Sequence, residues 1–212
     1  MKRFVYIIIS ILFVARLSYS QTALDSVIKS YLSEINKDSL KQTMLELESF
    51  KTRYDIEPNH KDIAKYLLKK FQKAGLNTSY LDTFRYFTTR YLTTRYLFSP
   101  KNRDSSYWGY NVMGEIKGSA KPEKVYILCA HYDTYSFEYR DSLNPQAPGA
   151  DDNGSGTASI IEIARILVAK GYKPNATIRF VAFDAEEVGL LGSYFLAEKI
   201  KRADINLRML VN

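Results

Sequence analysis

The stretch "SGTASIIEIARILVAKGYKPNATIRFVAFDA", Ser155–Ala185, changes its texture halfway. The first part, Ser155–Lys170, is apolar nearly all round, with Ser159, Glu162 and Arg165 as its only polar stripe at helical spacing. A helix of that kind is mostly buried, and Gly171 ends it. The second part, Ala176–Ala185, is a short run rich in β-formers, the pattern of a strand buried on both faces. Upstream, "KVYILCA", Lys124–Ala130, has the same texture and places the lone Cys129 in the core. Downstream, "GSYFLAEKIKR" after Leu191 reads as a helix that Ser193 caps. "INLRMLVN", ending at Asn212, then begins one more strand. Strand, helix, strand, helix, strand in this order predicts an α/β fold. It is a three-layer α/β/α sandwich around a mixed, partly parallel sheet.

Toward the N-terminus, "DSLKQTMLELESFKTRY", Asp38–Tyr54, carries Leu40, Met44, Leu47 and Phe50 at helical spacing. A second helix follows Pro58, with Asn59 as N-cap, a stripe of Ile63, Ala64, Leu67, Leu68 and Phe71, and Gly75 as its stop. From Thr78 to Ile116 Tyr, Phe and Thr predominate, with turn residues at "SPKNRDSS", which predicts β structure. "TTRYL" stands there twice in tandem, Thr88–Leu92 and Thr93–Leu97. Interleaved Arg and Tyr can bind nucleic acid. The same residues make ordinary cross-strand pairs in a twisted hairpin, and nothing else in the chain argues for nucleic acid.

Lys2 and Arg3 precede the apolar run "FVYIIISILFVA", Phe4–Ala15, and small residues, Ser18 and Ser20, follow it. This is the pattern of a secretory signal peptide cut before Gln21. The run is short for a membrane span and Arg16 interrupts it. The expectation is an exported protein with no stable membrane anchor after cleavage. Residues 1–20 are the signal, 21–37 a lead-in and 38–212 the folded domain. Cleavage removes three bases and no acid, so the formal charge falls from +7 to +4, too mild to imply a polyanionic partner. One Cys allows no internal disulfide.

The acids cluster where the strands end. His131 and Asp133 follow the first buried strand in "CAHYDT", and Glu186 and Glu187 follow the next in "FDAEEVG". Asp151 and Asp152 open the buried helix in "PGADDNGSGTA". In an open α/β sheet, ligand sites lie outside the carboxyl ends of the strands. A cation would gather these groups, because imidazole nitrogen and carboxylate oxygen are zinc ligands. A carboxylate between two metals would also relieve the repulsion between neighbouring acids. Asp133 is placed to receive the other ring N–H of His131. In the glutamate pair, one carboxylate can ligate while the other takes a proton from the attacking water. Each piece alone is ordinary: H-x-D is common in loops, D-D-N-G makes Asx-turns, and E-E is usually a solvated pair. Their order, each after a buried strand, is not ordinary.

From about Leu40 onward the chain resembles the zinc aminopeptidases of the bacterial leucyl aminopeptidase type, relatives of glutamate carboxypeptidase. It does so at "YNVMGEIKG", "ILCAHYDT", "PGADDNGSGTA" and "FVAFDAEEVGLLGS". The resemblance implies a metallo-exopeptidase acting on peptides through two zinc ions. By the same resemblance His131 ligates one zinc, Asp152 rather than Asp151 bridges both, and Glu187 ligates the other. Glu186 is then the general base, Asp133 the acid behind the ligands, and the Asp152–Asn153 peptide bond is cis. The family completes its site with an Asp after the next strand and a late His. Here that strand ends at Asn212, and the other histidine, His60, matches no motif. The expectation is therefore a C-terminally truncated copy with an incomplete sheet and site, inactive by itself. Two alternatives share the fold: a glutaminyl cyclase-like transferase with one zinc, and a non-catalytic binding domain. "DDNGSG" favours the peptidase, since glutaminyl cyclases typically lack the N-G-S-G continuation.

Overall fold

The structure, a computed structural model, describes residues 24–87, 106–136 and 146–212. The signal-peptide reading of residues 1–20 and the tandem repeat at 88–97 lie outside the described residues. The chain divides into two compact units, Met1–Ile35 and Asn36–Asn212. In the first, residues 24–32 are helical. Among the described residues no helix is long and apolar enough to cross a membrane.

The second unit opens with α1, Lys37–Glu48, capped by the Asn36 side chain, which accepts from the Ser39 N–H. α1 stops well before Tyr54, where the helical reading ended. Thr52 and Arg53 are instead drawn into the interior as irregular backbone. α2, His60–Lys73, buries Ile63, Ala64, Leu67 and Phe71 as its stripe predicts. Asn59 stands at its N-cap position, but its side chain makes no capping bond. Gly75 follows with φ +90, a left-handed turn in which a Cβ would be strained.

Strands β1, Thr78–Phe87, and β2, Ser106–Ile116, are antiparallel. β3, Lys121–His131, and β4, Ala176–Phe183, are parallel neighbours, and β5, Asn206–Val211, pairs parallel to β3 on its other side. The order β1-β2-β4-β3-β5 makes one open, mixed sheet. α3, Ser155–Ala169, joins β3 to β4, and α4, Leu191–Arg202, joins β4 to β5. The first crossover steps one way across the sheet and the second steps back. Right-handed crossovers therefore put α3 and α4 on opposite faces.

Burial agrees with that handedness. Ile160, Ile161 and Ala164 of α3 pack with α2 against Val112, Ala130, Phe180 and Ala182. Leu196 of α4 packs against Met113, Val125, Ile127, Cys129 and Val181 on the other face. Fully buried side chains such as Leu67 and Phe71 each contribute about 1.5–3 kcal/mol. The three-layer expectation is met.

Two further local expectations fail. Ser193 does not cap α4; it lies inside the first turn and its Oγ donates to the Leu190 carbonyl. Glu162, read as part of a polar stripe, is buried, because Arg165 and the Asn36 N–H both bond to it.

The crossover directions also position the site. The loops that leave β3 and β4 run to opposite faces, so a crevice opens between two adjacent carboxyl ends. β2 pairs with β4 only over Val112–Ile116. The remainder of β2, with its β1 partners, extends beyond the carboxyl end of β4 as a wall. From that wall Phe84 and Tyr86 pack on Ala185, Val188 and Leu191.

Candidate functional site

His131 is the last residue of β3 and Phe183 is its partner at the end of β4. Asp133 and Asp184 therefore emerge from adjacent strand ends, both with no exposed surface. The Asp133 carboxylate accepts from the Glu186 N–H through one oxygen and from the Glu187 N–H through the other, each at 3.0 Å. Ala185, just before the pair, has φ +53, a conformation that costs a non-glycine residue on the order of 1–2 kcal/mol. The two bonds to Asp133 hold the glutamates in the turn that follows it.

The third segment arrives through Gly149. Its φ is +52, and a Cβ there would lie 2.2 Å from Thr134 Cγ2 and 2.6 Å from the Asp152 carbonyl oxygen. Only glycine lets the chain pass so close. The Asp152–Asn153 bond is cis, and the Asn153 side chain accepts from the Gly156 N–H at the start of α3.

His131 Nε2 lies 2.8 Å from Asp152 Oδ1 and 3.8 Å from Glu186 Oε2. Its Nδ1 is 3.3 Å from the Asp133 carbonyl oxygen and 3.5 Å from an Asp133 carboxylate oxygen. A proton on Nδ1 donated to that carbonyl leaves Nε2 for the open side of the site. Asp133 was expected to serve the histidine ring; its carboxylate lies 3.5 Å from Nδ1 and also accepts from the two glutamate amides.

The site carries more negative charge than the protein balances. Burial and the nearby Asp133, Asp152 and Glu186 push Glu187 up to about 7. Glu186 is raised too, by burial and then by Asp133 and Asp152, against the opposing pull of His131. Burial disfavours the imidazolium of His131, but Asp133, Glu186 and Asp152 outweigh it and raise the group to about 9. All three shifts favour the protonated form, so the folded, metal-free site binds protons that the unfolded chain has released. The stabilisation from Glu187 is present below its ordinary value of 4.5 and lost as pH rises through about 7. That from His131 is present below 6.5 and lost as pH rises through about 9. In chelator, the melting temperature should therefore fall as pH is raised from about 5 to about 9. Calorimetry across that range checks this, and a flat or rising profile would show that the site carries no such proton load.

A divalent cation would replace those protons. His131, Asp152 and Glu187 supply the nitrogen and oxygen donors that zinc takes, so the donor chemistry fits. The spacing is closed: His131 and Asp152 bond to each other. Among the described residues, no three His, Cys, Asp or Glu side chains are grouped so as to hold a metal.

Four residues beside the site escaped the sequence reading. Arg53, fully buried, donates from its guanidinium to the carbonyls of Leu47, Tyr132, Pro148 and Gly149. His60 and Asp184 form a buried pair at 2.7 Å. The Asn111 side chain accepts from the Asp184 N–H and donates to the Gly192 carbonyl. The available signals were an acid directly before A-E-E and the Asn of "YNVMGEIKG".

Comparison with known proteins bears on the same segments. The profile of peptidase family M28 matches residues 111–212. A probable zinc metalloprotease of Pyrenophora teres f. teres is 33% identical over 196 residues, which is 89% of this chain and 40% of that protein. Among solved structures, the Legionella pneumophila LapA aminopeptidase superposes with a TM-score of 0.63 at 23% identity. The match covers 88% of this chain and 44% of that one. A Fimbriiglobus ruber glutaminyl cyclase gives a TM-score of 0.61 at 19% identity, covering 83% and 59%. These two likenesses show the fold. The chain spans well under half the length of the fungal relative.

Proposed function

We propose that the chain, whose residues 111–212 match the profile of peptidase family M28, carries the site of an exported zinc aminopeptidase that removes N-terminal residues from peptides. The observation that carries the reading is the meeting of three segments in one crevice. His131 Nε2 faces both Asp152 and Glu186, while Asp133 ties down the Glu186 and Glu187 amides.

In this reading His131 and Asp152 would hold one zinc, and Asp152 and Glu187 the other. Zinc bound there supplies a Lewis acid for the scissile carbonyl and lowers the pKa of the attacking water. Glu186 accepts the proton of that water as its oxygen bonds to the carbonyl carbon. The same carboxyl then protonates the departing amine as the C–N bond breaks. The raised affinity of Glu186 for protons suits both halves of the exchange. Asp133 does not touch the substrate; through the two glutamate amides it sets where both carboxylates point. The acidic crevice also suits the ammonium group of a peptide N-terminus.

These residues give each zinc two protein donors, one of them shared, where a catalytic zinc ordinarily has three. The second histidine cannot add to the count, because His60 is buried against Asp184. The 212-residue polypeptide should therefore bind zinc weakly and show no turnover of its own. Competition against a chromophoric chelator measures the affinity. His131→Ala and Glu187→Gln should each weaken it further, by about tenfold or more. Zinc binding indifferent to both changes would overturn the ligand assignment, and robust release of N-terminal residues would overturn the donor count. Cyclisation of an N-terminal glutamine would instead assign the chemistry of a glutaminyl cyclase.

A further inference from the structure

His60 begins α2 and is 4% exposed, yet its ring reaches across 124 residues of sequence to Asp184. The Nε2–Oδ2 distance is 2.7 Å. That carboxylate oxygen also accepts from the Tyr110 N–H at 2.6 Å, and the other oxygen accepts from the Ala185 N–H at 2.9 Å. Asp184 N donates to the Asn111 side chain at 3.1 Å. His60 Nδ1 is buried with no hydrogen-bond partner among the described residues, so the bond to Asp184 is the one that orients the ring. Tyr110 and Tyr132 flank the ring at 5.5 and 6.3 Å between centroids.

A buried ion pair is a weak way to stabilise a fold, because desolvation offsets most of the attraction and apolar pairs do as well. Its geometry here is the more informative feature. Asp184 lies immediately before the left-handed residue Ala185, and Glu186 and Glu187 follow. Asp133 holds this turn from the far side through the glutamate amides, and Asp184 holds it from the near side through the Ala185 amide. Asp184 can do so only while its own carboxylate is fixed. Two backbone amides and the His60 imidazole bond to it, with the Tyr132 hydroxyl also within reach.

We propose that His60 is a positioning residue for the Glu186–Glu187 pair, acting through Asp184 on the turn at Ala185. This rests on the roles given above to the two glutamates. His60 touches neither substrate nor metal.

The test compares substitutions in the 212-residue protein. His60→Gln keeps an N–H donor near the position of Nε2; His60→Leu keeps bulk and removes the donor. Because His60→Leu strands a buried charge, it is also made together with Asp184→Asn, which removes the charge and keeps an acceptor for Ala185. Amide exchange is read at residues 185–187 and at the β3 and α3 amides, and zinc affinity is read by chelator competition. In the Leu variants, exchange at 185–187 should speed up by about tenfold while β3 and α3 stay as they were. Zinc should bind about tenfold more weakly. His60→Gln should restore both readings to within about threefold. Identical behaviour of the Gln and Leu variants, or exchange that rises evenly across the sheet, would overturn the proposal. If the unsubstituted protein binds no zinc, the metal reading fails on its own, and the exchange pattern still decides whether His60 holds the turn.

Discussion

In a zinc-loaded peptidase that contains this chain, Glu186→Gln should lower kcat by about 10²–10⁴ and leave the zinc content unchanged. That is about 2.7–5.4 kcal/mol of transition-state stabilisation. The substitution is nearly isosteric. It leaves the Glu186 N–H bond to Asp133 in place, since that bond is made by backbone, and it leaves Glu187 and its amide bond untouched. What disappears is a group able to take a proton at the crevice, 3.8 Å from His131 Nε2. KM should change little, because the side chain is assigned to proton transfer rather than binding. Metal analysis beside steady-state kinetics separates the possibilities. Zinc lost in step with activity would make Glu186 a ligand and reverse the roles of the two glutamates. Activity retained within about tenfold would remove Glu186 from the chemistry altogether.

Which parts of this architecture were legible follows from the range of the interactions. Periodicity is local, so α2, α3, β3 and β4 could be read from Ile63–Phe71, Ser155–Lys170 and the two apolar runs. Their order then determined the topology, and the topology determined which edge of the sheet carries His131, Asp152 and Glu186. The failures are where a distant residue overrides local pattern. The helical spacing of Leu40, Met44, Leu47 and Phe50 continues past α1, but Arg53 is drawn inward by carbonyls 79 to 96 residues away. Glu162 looks solvated on its helix and is buried by Asn36, 126 residues distant. His60 matched no motif because its meaning lies in Asp184, and a spacing of 124 residues carries no signal in one sequence. The motif residues were legible for the opposite reason: each sits within four positions of a strand end or helix start, where local pattern and site coincide.

Arg53→Met should unfold the protein more readily than any change at the motif residues. Arg53 has no exposed surface. Burial lowers its pKa to about 10, with Asp133 and Glu48 opposing, so it remains charged at neutral pH. Its Nε donates to the Tyr132 carbonyl at 2.6 Å and its Nη2 to Gly149 at 2.8 Å. Its Nη1 serves both Leu47 at 3.2 Å and Pro148 at 2.5 Å. The backbone around it is tied to the same loop, since the Arg53 N–H donates to Thr134 Oγ1 and the Ala147 N–H to the Lys51 carbonyl. Methionine fills much of the volume but leaves these carbonyls without their donors, at about 1–3 kcal/mol for each buried oxygen left unsatisfied. Asp133 also loses the favourable charge of Arg53. Partial relaxation and entering water reduce the sum, so the expected loss is about 3–5 kcal/mol. Against a total stability of about 5–15 kcal/mol that is a large fraction, and urea unfolding should show it as a lower midpoint with an unchanged slope. Arg53→Lys keeps the charge but not the planar fork, and should fall between the two. The loss should also reach the site in protein that is still folded. Pro148 and Gly149 lead directly into Asp152, so zinc affinity should drop in Arg53→Lys although no ligand has changed. A midpoint for Arg53→Met within about 0.5 kcal/mol of the unsubstituted protein would mean that these carbonyls find other donors. The guanidinium would then not be what holds the Asp152 loop against β3.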